Sequence, residues 1–199
     1  SRAEVAEARY HVLENQMRPH FLFNTLNSLA ELIESGRKDA AETTYKLSNL
    51  YRRILDNSGL KTATLTSELA IVQDYLELEQ LRFGERLNFQ IRAPEHCEEI
   101  FLPSLMLQTL VENAVKHGIA PSVKGGEVLI EVLQIKDQYV VEVKISGAPL
   151  PMDLTAGTGL ENTKARLGLL YGDRHDFQLQ TNGQGQTVAR FTFSGRQIV

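Results

Sequence analysis

Gln16-Met17-Arg18-Pro19-His20-Phe21-Leu22-Phe23-Asn24-Thr25-Leu26-Asn27 is the stretch on which the reading of the fold turns. At about 100° per residue, a helix through it puts His20, Asn24, Asn27 and Glu31 on one narrow stripe. Leu22, Leu26, Leu29 and Ile33 cluster on the opposite face. A helix that packs on one side and carries a histidine flanked by amides on the other is built to present that histidine. The residues favour helix from about Glu4 to Ser35, and Gly36 supplies a C-terminal stop. Pro19 is the one breaker inside this run. It lacks an N–H and clashes with the preceding turn, which predicts a kink directly before His20.

A second helix is expected from about Asp39 to Asn57, with Leu47, Leu50 and Ile54 at helical spacing and an end near Ser58-Gly59. Two antiparallel helices joined by a short glycine-containing turn leave much apolar surface exposed. The expectation is therefore a homodimer that closes a four-helix bundle.

Downstream the composition shifts. Thr62-Ala63-Thr64-Leu65 has no strong helical pattern and reads as a linker, after which Thr66 or Ser67 caps a helix continuing to Arg82, with Gly84 behind it. Leu87 to Arg92 alternates as a strand before Pro94. Pro103 and Ser104 open a helix through Lys116 to Gly118. Val128 to Ile135 and Tyr139 to Ile145 read as strands joined at Lys136-Asp137-Gln138. A Gly- and Pro-rich loop from Gly147 to Gly159 leads into a helix ending near Tyr171-Gly172. Phe177 to Thr181 and Thr187 to Phe193 form a closing hairpin around Asn182-Gly183. The class is α+β: a helical hairpin over residues 1–61, then an α/β sandwich over residues 62–199 with its helices on one face.

With 199 residues, 42% of them hydrophobic, the chain has the composition of a folded protein. A net charge of −4, without a block of about five like charges, argues against nucleic-acid or membrane binding through a basic surface. Cys97 stands alone, which rules out an internal disulfide and fits a reducing compartment. No apolar run approaches the roughly 20 residues that cross a bilayer, and Ser1 opens no signal-peptide pattern. Ser1-Arg2-Ala3-Glu4 reads as a cut inside a long helix, so a larger parent protein is expected.

Two further segments carry residues suited to chemistry. In Glu112-Asn113-Ala114-Val115-Lys116-His117-Gly118, a carboxylate, an amide, an ammonium and an imidazole share about one and a half helical turns. Hard oxygen ligands hold magnesium and lysine neutralises phosphate, so the set suits a metal-bound phosphate group. A solvated helix end, where Lys116 and His117 favour the dipole, would use the same residues. Gly157-Thr158-Gly159-Leu160-Glu161-Asn162 opens a helix with two glycines one residue apart, which lets backbone N–H groups approach a phosphate. Glycine loops are also ordinary turns.

Taken in order, His20-Phe-Leu-Phe-Asn24, Leu65-Thr-Ser-Glu-Leu69 and Tyr75-Leu-Glu-Leu-Glu-Gln-Leu-Arg82-Phe-Gly84 resemble the LytS/YehU-type family of sensor histidine kinases. Leu102 through Asn113 to Gly118 is similar to that family's N box, and Gly157 through Asn162 to Arg166 and Leu167 to its glycine box. The match covers nearly the whole chain. It implies a dimerisation and phosphoacceptor hairpin followed by a Bergerat-type ATP-binding domain. His20 would attack the γ-phosphorus of ATP and pass the phosphoryl group to an aspartate on a response-regulator receiver domain. A neutral imidazole is a competent nucleophile near neutral pH, and phosphoryl transfer mainly needs positioning and charge neutralisation. Asn24, one turn on, would hydrogen-bond the ring or orient a water for dephosphorylation.

The resemblance also implies Asn113 as the Mg2+ ligand, Glu112 as an activating or water-orienting base, and Lys116 and His117 on the phosphates. Gly147, Gly157, Gly159, Leu160 and Asn162 would line the nucleotide. It implies the cytoplasmic part of a bacterial inner-membrane protein, attached to the membrane only through a region upstream. Two positions depart from the pattern. Phe21 stands where many histidine kinases place an acid, so no general base is assigned beside His20. Ile145 stands where an aspartate receives the adenine amino group, leaving Ser146 or a water as the partner. A degenerate, non-catalytic relative that signals through dimer and response-regulator contacts is the alternative.

Overall fold

A computed structural model of the chain describes residues 19–148 and 158–194. Helix α1 (Pro19–Glu34) and helix α2 (Ala40–Asn57) form the hairpin, and the chain reverses at Gly36, whose φ of +67° suits a residue without Cβ. The expected helix before Pro19, and the kink at its end, lie outside the described residues. Strand β1 (Thr62–Thr64) leads into α3 (Leu65–Phe83), a 3-10 turn over Gly84–Arg86 and β2 (Leu87–Arg92). Strand β3 (Phe101–Pro103) precedes α4 (Met106–Ala114), which continues as one π-helical turn, Val115–Ile119. After β4 (Gly126–Ile135) and β5 (Gln138–Ile145) come α5 (Thr158–Tyr171), β6 (His175–Thr181) and β7 (Thr187–Ser194).

The large sheet runs β2-β4-β5-β7-β6; β2 and β4 are parallel and the other pairs antiparallel. Its inner face presents Val128 and Ile130 of β4, Val141 and Val143 of β5, and Phe191 and Phe193 of β7 to the core. Leu107 and Val111 of α4 and Leu167 and Tyr171 of α5 close that core. Alternation sends the intervening residues to the other face, where a charge ladder crosses four strands. Arg92 pairs with Glu131 at 3.2 Å, Lys144 with Glu131 at 2.6 Å and with Glu142 at 2.8 Å, and Arg190 with Glu142. The α+β class with helices on one sheet face is thus the observed one.

Four local expectations are corrected. Residues 62–64 are not a linker but a short strand, antiparallel to β3. The cap of α3 is Thr64, whose side chain accepts a hydrogen bond from Ser67 N at 3.2 Å, so the helix starts at Leu65. Pro103 ends β3 rather than opening a helix, and Leu105 takes a left-handed φ of 59° before α4 begins. The last correction concerns α1. Its buried face is Phe21, Thr25, Leu29 and Leu32, whereas Leu26 and Ile33 are 42% and 62% exposed and Phe23 is 65% exposed. The cause is tertiary: the Phe21 ring packs on Tyr75 of α3 with centroids 5.0 Å apart, and this contact decides which face turns inward. On α2 the expected Leu47, Leu50 and Ile54 are all buried.

Candidate functional site

The site is organised around the start of α4. Leu105 sits in the left-handed region, and the N–H groups of Leu105 and Leu107 donate to the Glu68 carboxylate at 2.7 and 2.9 Å. Glu68 comes from α3 and is wholly buried, so a neighbouring helix supplies the N-terminal cap that α4 lacks within its own sequence. Burial pushes the Glu68 carboxyl up to about 7, against the backbone N–H groups and Arg166 of α5, which favour its charged form. The native state therefore binds this proton more tightly than the unfolded chain does, whose carboxyl titrates at its ordinary 4.5. Stability from this group is greatest below about 4.5 and is lost as pH rises through about 7. Glu68→Gln, an isostere of the protonated form, should gain stability relative to wild type between pH 5 and pH 8. Thermal unfolding at the two pH values checks this.

Along α4, Glu112 is buried and accepts Gln108 Nε2 at 2.9 Å, while Asn113 is half-buried. The helix then widens into its π turn, so Lys116 (exposed) and His117 (half-buried) depart from α-helical spacing. The turn is pressed against the end of β5. Ala148 N donates to Gly118 O at 2.8 Å, and a Cβ on Gly147 would lie 2.3 Å from that oxygen. Gly147 is needed for this backbone approach. Ile145 is 3% exposed, and a Cβ on Gly118 would meet its Cγ2 at 2.6 Å. Ser146 Oγ accepts Glu127 N at 3.0 Å, so the hydroxyl that could stand in for the missing aspartate is tied to β4. Gly157 lies outside the described residues. Gly159, Leu160 and Asn162 fall in the first turns of α5, and their side chains lie outside the described set.

Helices α1, α3 and α4 and the π turn enclose a cleft of about 410 Å³ whose lining includes His20, Tyr75, Glu79, Arg82, Glu112 and Lys116. The sequence places His20 and Glu112 ninety-two positions apart (112 − 20), and the fold brings them to one cavity. His20 is exposed, and Asn24 Nδ2 stands 3.2 Å from its Nδ1 and 3.4 Å from its Nε2, as one helical turn of separation allows. Asn113 and His117 are not among the lining residues. Among the described residues no group of three or more His, Cys, Asp or Glu side chains could hold a metal. Magnesium commonly takes one or two protein ligands and completes its shell with phosphate and water, a role that a half-buried amide such as Asn113 fits.

In the sequence Glu79 and Arg82 stand only as part of the Tyr75–Gly84 motif. A signal for them was present: Glu68, Val72, Tyr75 and Glu79 share one helical stripe and all four are buried. Two carboxylates on the buried face of an amphipathic helix call for a role.

A family model described as histidine kinase matches residues 8–87. The sensor protein LytS of Staphylococcus epidermidis is 31% identical over 196 residues, covering 92% of this chain and 33% of that protein. Over nine-tenths of its length the chain is similar to LytS-type sensor histidine kinases. The sensor histidine kinase/phosphatase LytS of Staphylococcus aureus is 31% identical over 195 residues, 91% of this chain and 33% of its own length. The chain thus spans about a third of the length of these curated relatives. Among solved structures, the Acinetobacter baumannii histidine kinase AdeS aligns with a TM-score of 0.53 at 14% identity, over 96% of this chain and 98% of that one. The catalytic domain of histidine kinase ThkA aligns at 0.51 with 17% identity, over 67% and 94%. Both show the histidine-kinase fold. No helix among the described residues is long and apolar enough to cross a membrane.

Proposed function

We propose that this chain is the kinase core of a two-component sensor: it autophosphorylates His20 from Mg2+-ATP and passes the phosphoryl group to a receiver-domain aspartate. The observation that carries this is the meeting of His20 with Glu112 and Lys116 of the same chain in one cleft. Nucleophile and phosphate-side charge are then already in reach of each other, which is most of what phosphoryl transfer requires. Asn24 bonds the ring and would orient a water for the reverse reaction. Lys116 neutralises phosphate charge, Glu112 orients, and Asn113 supplies an oxygen to Mg2+ with His117 beside it. Gly157, Gly159, Leu160 and Asn162 of the glycine box would line the nucleotide, as would Gly147. Magnesium, when bound, adds charge neutralisation between the phosphates.

The exposed stripe of Phe23, Leu26 and Ile33 on α1 supports a homodimer, because these side chains stay exposed among the described residues. Attachment to a bacterial inner membrane through an upstream region belongs to the same proposal. Incubation with γ-labelled Mg2+-ATP tests the whole. Acid-labile, base-stable label that moves to a receiver domain supports it, and an unlabelled chain overturns it.

One observation favours the second reading, a non-catalytic relative. Ile145 is buried against Gly118 and offers the adenine amino group no acceptor. A lost hydrogen bond to a charged acceptor is worth roughly 1.5–3 kcal/mol, or about ten- to hundredfold in affinity. ATP is accordingly expected to bind weakly and with poor discrimination against GTP, which lacks that amino group. Ile145→Asp should tighten ATP selectively unless the buried charge destabilises the fold. Competition binding decides: micromolar ATP affinity with strong rejection of GTP would mean that another residue does the aspartate's work.

A further inference from the structure

The cleft contains a carboxylate that the proposed reaction has not yet used. Glu79 of α3 is 3% exposed, and Tyr75 Oη donates to its Oε1 at 3.2 Å. Its other oxygen, Oε2, has no hydrogen-bond partner among the described residues, although Arg82 Nε lies 3.3 Å away. A buried carboxylate oxygen left without a hydrogen bond is costly, and such a group at the wall of a cavity is poised for an incoming donor. His20 lines that same cavity, and the position after it holds Phe21 rather than an acid. We propose that Glu79 is the base that takes the ring proton of His20 during phosphorylation, with Tyr75 and Arg82 as its positioning residues.

The proposal rests on the kinase reading above. One imidazole nitrogen of His20 attacks the γ-phosphorus, and the N–P bond forms as the bond to the bridging oxygen breaks. The electron pair of that bond leaves with ADP. The proton on the other ring nitrogen passes to Glu79 Oε2, so the phosphorylated ring ends neutral and the carboxyl ends protonated. Burial holds the Glu79 carboxyl above the usual carboxylate range, with Arg82, Tyr75 and the His20 ring charge pulling the other way, which suits a group that must accept a proton. Arg82 and Lys116 both line the cleft, so two cations stand at the wall where the phosphoryl group would arrive.

Glu79→Gln keeps the volume and the Tyr75 bond while removing the proton acceptor. The charged or titratable groups around it are His20 on α1, Tyr75 and Arg82 on α3, Glu112 on α4 and Lys116 on the π turn. The initial labelling rate from Mg2+-ATP should fall on the order of 10²-fold, with ATP affinity and melting temperature unchanged. The acid limb of the rate profile should become shallower, because the Glu79 carboxyl, held above the usual carboxylate range by burial, no longer titrates there. Glu79→Asp, which keeps the charge, should recover part of the rate. An unchanged rate and profile in Glu79→Gln overturns the assignment. So does a loss that tracks lowered ATP affinity or melting temperature uniformly across pH. A wild-type chain that takes up no label overturns the kinase reading, and this proposal with it.

Discussion

His20→Ala is expected to abolish acid-labile, base-stable phosphate incorporation from ATP while leaving the proposed dimer and nucleotide binding intact. The side chain is exposed on α1, and its polar contact is with Asn24 on the same helix, so its removal disturbs no packing. The expected loss is complete, because among the described residues no other imidazole lines the cleft. Mixed dimers sharpen the test. His20 meets Glu112 and Lys116 of its own chain, so pairing a His20→Ala chain with an Asn113→Ala chain should leave both unlabelled. Label in the mixed dimer would show transfer between chains, and wild-type label in His20→Ala itself would remove His20 as phosphoacceptor.

The second large effect is expected at Asn113. Its replacement by alanine should remove Mg2+-dependent ATP binding, with a loss on the order of a few kcal/mol, or at least about tenfold in affinity. Fold stability should hardly change, since Asn113 is half-buried at the edge of α4 and the helix is anchored at its other end by Glu68. Calorimetric titration with and without Mg2+ reads the first quantity, and thermal unfolding without nucleotide the second. Unchanged affinity would return Asn113 to the ordinary surface. A large fall in melting temperature would make it a structural residue.

What could be read in the sequence follows a physical division. The hairpin helices, the strands of the large sheet and the closing hairpin carry their periodicity within a few residues, and those elements stand where the pattern puts them. The face of α1 could not be read this way. The helix has two apolar stripes, Phe21/Leu29/Leu32 and Phe23/Leu26/Ile33, and only the Tyr75 ring on a distant helix decides which one turns inward. Strand β1 has three residues and exists only by pairing with Phe101–Pro103, so no local signal marks it. Leu105 in the left-handed region is equally silent, because the Glu68 carboxylate that holds it is contributed from thirty-seven residues upstream. At the site, individual residue types were legible in the N-box helix and the phosphoacceptor stripe. Glu79 was not, because its value lies in an unfilled bond inside a cavity, and sequence alone draws no cavities.

On the proposed kinase reading, the seating of Phe21 sets a condition on how His20 would hand on a phosphoryl group. Its backbone is continuous with His20, and its ring is lodged beside Tyr75 in the core shared with the sandwich. His20 is already exposed at the cleft mouth, but swinging its ring further out towards a receiver aspartate would mean pulling Phe21 from its socket. Exposing such a side chain costs roughly 1.5–3 kcal/mol, which corresponds to an open form present at about one part in ten to one part in a hundred or so. The closed form is then the resting state for loading, and the open form is common enough to be captured by a partner. A twist or slide of α1 transmitted from upstream would need to shift this balance by no more than the burial of one aromatic ring.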